Sequence, residues 1–252
     1  MKYAKNYLTQ VILQLRFAPV RELAAHEMEE YGEKIKAFLP TTDLLQQMQF
    51  TTTLSAQEAP SVKTQKGQSV WRFHSEDRSK TLAVAADQFT LEYRAYKNMD
   101  AAMLEFEALW SPFREVYPVD LLTRVGLRYV NQISLPTGDA LDWDGWLAKE
   151  IVASTLASPA PTTLGLARSM HVAVWQGDDH GVRFQWGINN SDYPNTITKK
   201  EFVLDYDCFT VGDTDTSDAA KLLRDYNIII DDLFERSIET KLRDEMGIEE
   251  AD

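Results

Sequence analysis

One stretch near the middle of the chain constrains the fold more than any other part of the sequence. In Thr123–Ile133, apolar side chains alternate with polar ones, as at Val125 and Leu127. Alternation with a period of two predicts a β-strand that has one buried face and one polar face. A shorter segment of the same character, Val11–Phe17, lies near the N-terminus. We therefore expect two related strands, one in each half of the chain.

The two strands share a Leu-Arg-aromatic pattern, which occurs at Leu15–Phe17 and again at Leu127–Tyr129. Other matches follow in the same order along the chain, and they pair Asp87–Thr90 with Asp207–Thr210 and Asp100–Leu104 with Asp218–Leu222. The shared order predicts an internal duplication. The alternative is chance similarity, because amphipathic segments of one type resemble each other.

The predicted elements follow the order β-α-β-β-β-α in residues 1–118 and again in residues 119–252. Two such halves give roughly eight strands and four helices. Strands joined by local turns pair antiparallel, and a sheet with one polar face carries its helices on the other. We therefore predict an α+β protein in which the duplicated halves form one fused domain, with a largely antiparallel sheet and helices on one face. Residues 56–68 are expected to form a loop, residues 81–96 one long strand, and the segment from Ser217 a long C-terminal helix.

The charge of the chain narrows the classes of partner. With 26 Lys and Arg against 39 Asp and Glu, the formal net charge is −13 at pH 7. An acidic surface disfavours general binding to nucleic-acid backbones and to anionic membranes. Cys208 is the one cysteine, so the sequence offers no internal disulfide and favours a reducing compartment. No apolar run of about 18 residues occurs, so we predict a cytoplasmic protein that does not enter a membrane.

Motifs that carry catalysis or bind metal are missing from the sequence. The histidines have no metal-ligand spacing, and no glycine-rich phosphate loop or nucleophile elbow occurs. The segment Asp213–Asp218 begins like a calcium loop but lacks the required glycine, and helix capping by Thr216 or Ser217 is the better interpretation. Asp87 and Asp207 match between the halves, and we favour structural roles for them over a catalytic carboxylate pair. No catalytic residue, metal or cofactor is predicted.

The polar face of the two related strands carries the candidate binding residues. They are Gln14, Arg16, Arg124, Arg128 and Gln132. Arginine side chains bind carboxylates and phosphates through paired hydrogen bonds, so this face is a candidate site for a small anionic ligand or an acidic partner. The alternative, which we favour, is that the arginines pair with Asp or Glu of neighbouring strands on a solvated sheet face.

The segment from Ser217 carries an apolar stripe at helical spacing, which includes Leu223, Ile230 and Leu242. Core packing and a subunit interface both explain a stripe of this length. A homodimer through the C-terminal helix is therefore one expectation, and burial inside the domain is the other.

Several segments together resemble a group of known proteins. They are Asn6–Phe17, Arg124–Asn131, Val203–Asp207 and Ser217–Met246, which span nearly the whole chain. In this combination, and above all in the central Gly-Leu-Arg-Tyr-Val-Asn motif, the chain resembles a sporadically distributed prokaryotic family of unknown function, whose members are similar in length. The resemblance implies a scattered distribution like that of defence and toxin–antitoxin genes. It implies no activity and no catalytic residue.

Three classes of function stay open at this point. The leading hypothesis is a non-enzymatic module that binds a protein partner or a small anion, in a prokaryotic defence or toxin–antitoxin setting. The second is a nucleotide-sensing effector or enzyme that uses the face with Arg16, Arg124 and Arg128. The third is a DNA mimic, which follows from the net charge of −13 and requires acids spaced like phosphates on one surface.

Overall fold

The computed structural model describes residues 3–21, 23, 28–53, 61–156 and 164–247. Over these residues the chain is an α+β protein with mostly antiparallel strands, as the sequence predicts. The ten strands described are β1 (Leu8–Phe17), β2 (Thr41–Thr53), β3 (Ser61–His74), β4 (Lys80–Ala85), β5 (Gln88–Tyr93), β6 (Leu121–Leu135), β7 (Ser169–Gln176), β8 (His180–Ile188), β9 (Lys200–Thr210) and β10 (Thr214–Asp215). The five α-helices described are α1 (Glu29–Ile35), α2 (Met99–Val116), α3 (Lys149–Leu156), α4 (Ala219–Ser237) and α5 (Thr240–Met246).

The strands follow the hydrogen-bonded order β2-β3-β4-β5-β1-β6-β9-β8-β7, and β10 pairs with β6. The described sheet has two more strands than the sequence predicts. The expected long strand at residues 81–96 is the hairpin β4–β5, and the short strand β10 was not predicted. The hairpin turn is at Ala86 and Asp87. The large buried side chains occupy even positions before it, in β4, and odd positions after it, in β5, so the spacing of apolar residues does not indicate the hairpin. Residues 61–68, expected to be a loop, belong to β3, and residues 54–60 lie outside the described part of the chain.

The chain divides into two compact units. The amino unit comprises Leu13–Val125 and Gly212–Ala220, and the carboxyl unit comprises Met1–Ile12, Gly126–Val211 and Lys221–Asp252. These boundaries are not those of the predicted copies, residues 1–118 and 119–252. The internal duplication concerns the origin of the chain, and it stays a prediction.

The core of the amino unit forms between α2 and one face of its strands. Alternate residues of β5 are buried, because a strand that packs against a helix turns every second side chain toward it. Phe113 of α2 is at the centre, and its ring centroid lies 5.9 Å from that of Phe17, 5.3 Å from that of Phe89 and 5.5 Å from that of Tyr31. The polar side chains between the buried ones consequently point away from the helix.

A side chain caps the first turn of α2. Asn98 precedes the helix in an extended conformation, and its Oδ1 accepts a hydrogen bond from the backbone N–H of Ala101 at 2.9 Å. This bond satisfies one of the amide groups that a helix N-terminus leaves without a partner. We expect Asn98→Ala to lower the free energy of unfolding by about 1 kcal/mol, and Asn98→Ser, which keeps a capping oxygen, to lower it by less. Urea denaturation measures both losses, and equal losses would contradict the capping role.

In the carboxyl unit, helix α4 packs on the face of the sheet that carries Tyr129. The Tyr129 hydroxyl donates to Asn227 Oδ1 of α4 at 2.5 Å. On the same face, the rings of Phe184 and Tyr206 stack with centroids 4.6 Å apart. Phe202, Leu204 and Tyr206 of β9 are fully buried on this face, whereas Glu201, Asp205 and Asp207 point to the opposite face.

The C-terminal segment, predicted as one long helix from Ser217, is broken between α4 and α5. Ile238 forms a β-bridge with Leu147, and the N–H of Glu239 donates to the carbonyl of Trp146 at 2.9 Å. The chain therefore exchanges helical hydrogen bonds for bonds to the loop that precedes α3. No glycine or proline occurs at this break. The apolar residues keep a helical spacing across it, so the sequence alone predicts a continuous helix.

The cap at the start of this segment also differs from the prediction. Asp215, rather than Thr216 or Ser217, accepts the capping hydrogen bond, with Oδ1 2.8 Å from the backbone nitrogen of Ser217. The hydroxyl and the N–H of Ser217 both donate to this carboxylate and lower the pKa of Asp215. A carboxylate at this position is stabilised because the first turn of a helix presents unpaired N–H groups.

Candidate functional site

Three of the predicted binding residues, Gln14, Arg16 and Arg124, lie in the amino unit, and each has a polar partner. Arg124 Nε donates to Gln14 Oε1 at 3.2 Å, and Gln14 Nε2 donates to Thr90 Oγ1 at 3.4 Å. Arg16 is half-exposed, and its Nη1 lies 3.8 Å from Asp87 Oδ2. Arg16 therefore has a carboxylate neighbour, as the favoured alternative expects, whereas Arg124 is bonded to a glutamine of the neighbouring strand.

The other two predicted residues, Arg128 and Gln132, lie in the carboxyl unit on the polar face of β6. Arg128 forms a bidentate ion pair with Asp205 of β9, in which the Nε–Oδ1 and Nη2–Oδ2 distances are both 2.7 Å. Arg183 of β8 places Nη1 4.0 Å from Asp205 Oδ2 and donates to Gln185 Oε1 at 2.6 Å. The Asp205 side chain is 3% exposed, whereas 39% of the Arg128 side chain is exposed. Gln132 is exposed.

The charge of Asp205 offsets that of Arg128 within the sheet, and Arg183 adds a second cation nearby. The hydrogen bonds to Asp205 raise the pKa of Arg128, partial burial opposes that rise, and the nearby charges of Asp205 and Asp207 add to it. An anionic ligand on this face would have to compete with a carboxylate that is already held by two short bonds. In this structure Arg128 therefore stabilises the sheet.

His74 of β3 lies between Asp43 and Thr81, with Nε2 3.2 Å from Asp43 Oδ2 and Nδ1 3.0 Å from Thr81 Oγ1. A second contact between a histidine and a hydroxyl involves His171 of β7. Its Nε2 lies 3.1 Å from Ser169 Oγ, but the Ser169 hydroxyl donates to the carbonyl of Thr155 at 2.8 Å, so the serine proton is not directed at the imidazole. His180, predicted to lie in the hairpin turn, is the first residue of β8, and His26 lies outside the described residues. Within the described ranges, no group of three or more His, Cys, Asp or Glu side chains could hold a metal ion.

The sequence patterns did not reveal the surface at the outer edge of β7. This strand is last in the sheet order, and among the described residues it pairs with β8 alone, without a break in register. It contains no Asp, Glu, Lys, Arg or Pro. Val172, Val174 and Trp175 are 53%, 56% and 55% exposed. Edge strands ordinarily carry a charge, a proline or a bulge that blocks further pairing, and β7 lacks all of these.

The β7–β8 register determines which backbone groups point to this edge. The N–H of Gly177 donates to the carbonyl of His180 at 2.9 Å, which makes these two residues a hydrogen-bonded pair. In an antiparallel ladder such pairs alternate with pairs whose N–H and C=O groups point outward. Val172 and Val174 each lie an odd number of residues before Gly177 in the β7–β8 ladder, so their N–H and C=O groups point to the open edge. Their side chains lie on the same face as Arg183, because Val174 is paired with Arg183.

Most of the apolar stripe of the C-terminal helices is buried within the carboxyl unit. Leu223, Tyr226, Ile230 and Leu242 are at most 2% exposed, so core packing accounts for them. Ile228 of α4 is 66% exposed. A homodimer through this segment stays a prediction. No helix in the described part of the chain is both long enough and apolar enough to cross a membrane.

The fold is that of an α+β protein, and the outer edge of β7 is apolar and is not covered by another of the described strands. A scan against protein-family models finds no match, and no curated protein matches the chain. The resemblance to a prokaryotic family therefore stays a prediction. A proposal about function therefore rests on two surfaces: the β7 edge, and the polar face with Arg16, Arg124 and Arg128, which we call the arginine face.

Proposed function

We propose that this chain is a non-enzymatic binding module and that β7 takes an extended segment of a partner protein as an added strand. The observation that carries the proposal is an edge strand without charge, proline or bulge, on which Val172, Val174 and Trp175 are exposed. An added strand satisfies the outward amides and carbonyls of β7 and covers its valines. In this mode the partner backbone supplies affinity, and its alternate side chains supply specificity.

The net charge favours a different protein over a second copy as the occupant. Two copies would each carry −13, so long-range repulsion opposes their association. A neutral or basic segment meets no such barrier, and a basic one is attracted. Apolar side chains at alternate positions of the segment would cover Val172 and Val174. We therefore assign the β7 edge to a neutral or basic segment of another protein.

Binding of a small anion on the arginine face, or a nucleotide-sensing or enzymatic role there, has weaker physical support. Arg16 and Arg128 both lie within 4.0 Å of a carboxylate of the chain, so an incoming anion competes with fixed charges. A role in defence, in which one protein neutralises another by binding it, would use the β7 edge in the same way. That role rests on the family resemblance alone.

Val174→Pro tests the proposed role of the β7 backbone. Proline removes an N–H that points to the open edge, while the hydrogen bonds from β7 to β8 persist, so we expect the fold to be retained. The partner is first identified by gentle purification of the wild-type chain from its own host and native mass spectrometry. We expect Val174→Pro to weaken the affinity for that purified partner at least about tenfold, since it removes one backbone bond and obstructs the approach of the added strand.

Two matched variants distinguish backbone from side chain. Val174→Thr keeps the N–H and the β-branched shape, and we expect its affinity to stay within about threefold of the wild type. Ala173→Pro removes an inward N–H and is expected to disrupt the β7–β8 pair, which circular dichroism measures. Two results would overturn the proposal: undiminished binding by folded Val174→Pro, or a wild-type chain that purifies with no protein at fixed stoichiometry.

A further inference from the structure

Lys200, the first residue of β9, is a buried lysine. It belongs neither to the arginine face nor to the β7 edge. It is 5% exposed. Its Nζ lies 5.3 Å from the ring centroid of Trp143 and 5.0 Å from that of Trp146. These cation–π contacts offset part of the cost of burying an ammonium. Among the described residues no carboxylate lies within ion-pair distance of Nζ, although buried lysines are ordinarily paired with one.

The acids closest to Lys200 in the sequence of this region are engaged elsewhere. Both Glu201 carboxylate oxygens accept hydrogen bonds from a serine in the preceding loop. Asp139 Oδ1 accepts a backbone N–H two residues further on. Asp192 pairs with Lys199, with Nζ and Oδ1 2.9 Å apart. The positive charge of Lys200 is consequently left without a matching negative charge from these neighbours.

Lys200 borders an open cavity of about 300 Å³, which we call the Lys200 cavity. Its polar lining comes from Ser134, Thr137, Gly138, Thr198, Lys199 and Lys200. The lining contains no Asp or Glu, and Thr137 and Thr198 offer hydroxyl groups. Ser134 lies on the opposite face of the sheet from the Lys200 side chain, because Lys200 is paired with Leu135. The Lys199 ammonium is already paired with Asp192. The composition of the cavity is therefore complementary to negative charge.

Gly138 keeps the space beside the ammonium open. Its backbone has φ +102°, a conformation that side chains other than hydrogen rarely allow. A Cβ at this position would lie 3.3 Å from Lys200 Nζ, closer than most side-chain contacts. The absence of a side chain at this point leaves one approach to Nζ unobstructed by the loop that follows β6.

We propose that the Lys200 cavity binds a small anion that carries a phosphate group. The ammonium of Lys200 would supply the charge, and the hydroxyls of Thr137 and Thr198 would donate to the phosphate oxygens. Lysine recognises phosphate as a point charge, which suits a tetrahedral anion that has no preferred planar fork. The volume is at the lower end for small-molecule sites, so the ligand is a single small molecule. This site is separate from the proposed β7 function, and either can fail without the other.

Inorganic phosphate is the probe for the first test. We expect the melting temperature of the wild-type chain to rise with phosphate concentration when chloride keeps the ionic strength constant, because the ligand binds the folded state alone. In a chain labelled with fluorotryptophan, the fluorine resonances of Trp143 and Trp146 are expected to shift over the same range. Assignment comes from Trp143→Phe and Trp146→Phe. These resonances report binding next to Lys200 rather than general salt effects.

Lys200→Met separates a binding lysine from a packing lysine. Methionine keeps an apolar stem against the two tryptophans and removes the charge, so in phosphate-free buffer we expect stability equal to or above that of the wild type. We expect the affinity for phosphate to fall at least about tenfold. The matched control is Lys199→Met. It removes an exposed charge that is already paired with Asp192, and we expect it to change the affinity by less than about threefold.

If Lys200→Met does not fold, the double variant Thr137→Val, Thr198→Val tests the same site without changing its charge, and we expect it to weaken phosphate binding. Two results would overturn the proposal. One is a wild-type chain whose tryptophan resonances and melting temperature do not respond to phosphate up to about 10 mM, which is weaker than millimolar binding. The other is an undiminished response in folded Lys200→Met.

Discussion

Phe113→Ala is expected to lower the free energy of unfolding by about 4 kcal/mol, the largest loss that we predict for one substitution in this chain. The Phe113 ring is fully buried, and its centroid lies within 5.9 Å of those of five other rings. They are the rings of Phe17, Tyr31, Phe89, Trp110 and Tyr117. Rigid rings cannot collapse into the space that alanine would leave, so the cavity persists and adds to the lost transfer free energy.

Leu104→Ala is the matched control because Leu104 lies on the same helix and is 75% exposed. We expect that substitution to change stability by no more than about 0.5 kcal/mol. Guanidinium denaturation followed by tryptophan fluorescence measures both variants. Similar losses for the two variants would mean that the aromatic core around Phe113 does not determine the result.

Arg128→Met is expected to lower the free energy of unfolding by about 2 to 3 kcal/mol. It leaves the buried carboxylate of Asp205 without its bidentate partner, and Arg183, at 4.0 Å, is the next cation in the ion-pair cluster. The loss falls below that of a fully buried pair because 39% of the Arg128 side chain is exposed and water can reach the site. Asp205→Asn is expected to cost less, about 1 kcal/mol, since the arginine that it leaves behind stays solvated.

Arg16→Met is the control for this second prediction. Arg16 occupies the matching place in the Leu-Arg-aromatic pattern, but it is half-exposed and its carboxylate partner is 3.8 Å away. We expect a change of less than about 0.5 kcal/mol. Urea denaturation of the three arginine and aspartate variants measures the order of the losses. If Arg16→Met and Arg128→Met were equally destabilising, burial of Asp205 would not be the cause.

The same variants bear on function. A destabilised Arg128→Met chain that still binds its partner would identify the arginine as a structural residue. Loss of binding by a chain with wild-type stability would restore the sequence-based proposal of a site on the arginine face. The β7 edge predicts the first of these results, because Arg128 is on β6 and the partner backbone pairs with β7.

Local patterns in the sequence were enough to predict which side chains face the core. The buried positions of β6 include Val125, Leu127, Tyr129 and Ile133, as the alternation indicates. The complete burial of Cys208 and the hairpin turn between β7 and β8 also agree with the sequence. These predictions hold because strands and helices each impose a fixed side-chain period, so a short segment contains the information about its own faces.

Pairing between distant segments could not be predicted in this way. Asp205 meets Arg128 diagonally across β6 and β9, from a position 77 residues away. The helical segment is interrupted between α4 and α5 because Ile238 forms a β-bridge with Leu147. No residue type at this point of the sequence indicates the interruption. The hairpin β4–β5 was not predicted for a related reason. The large buried side chains occupy even positions in β4 and odd positions in β5, so the two strands together resemble one long strand.

The sequence by itself therefore determined the fold class, the antiparallel character of the sheet and the polar face on which the arginines lie. Only the tertiary structure decided that Arg16 and Arg128 have carboxylate neighbours and that β7 has no second neighbour among the described strands. It also decided that Lys200 lies near two indole rings, with no acid of the described residues at ion-pair distance. In the sequence Lys200 is one of 26 basic residues, and β7 is an ordinary apolar run. The physical reason is that the spacing of apolar side chains is a property of a single strand or helix and can be read from its own sequence. The exposure of a residue and the pairing of its charge depend on all the segments that fold around it.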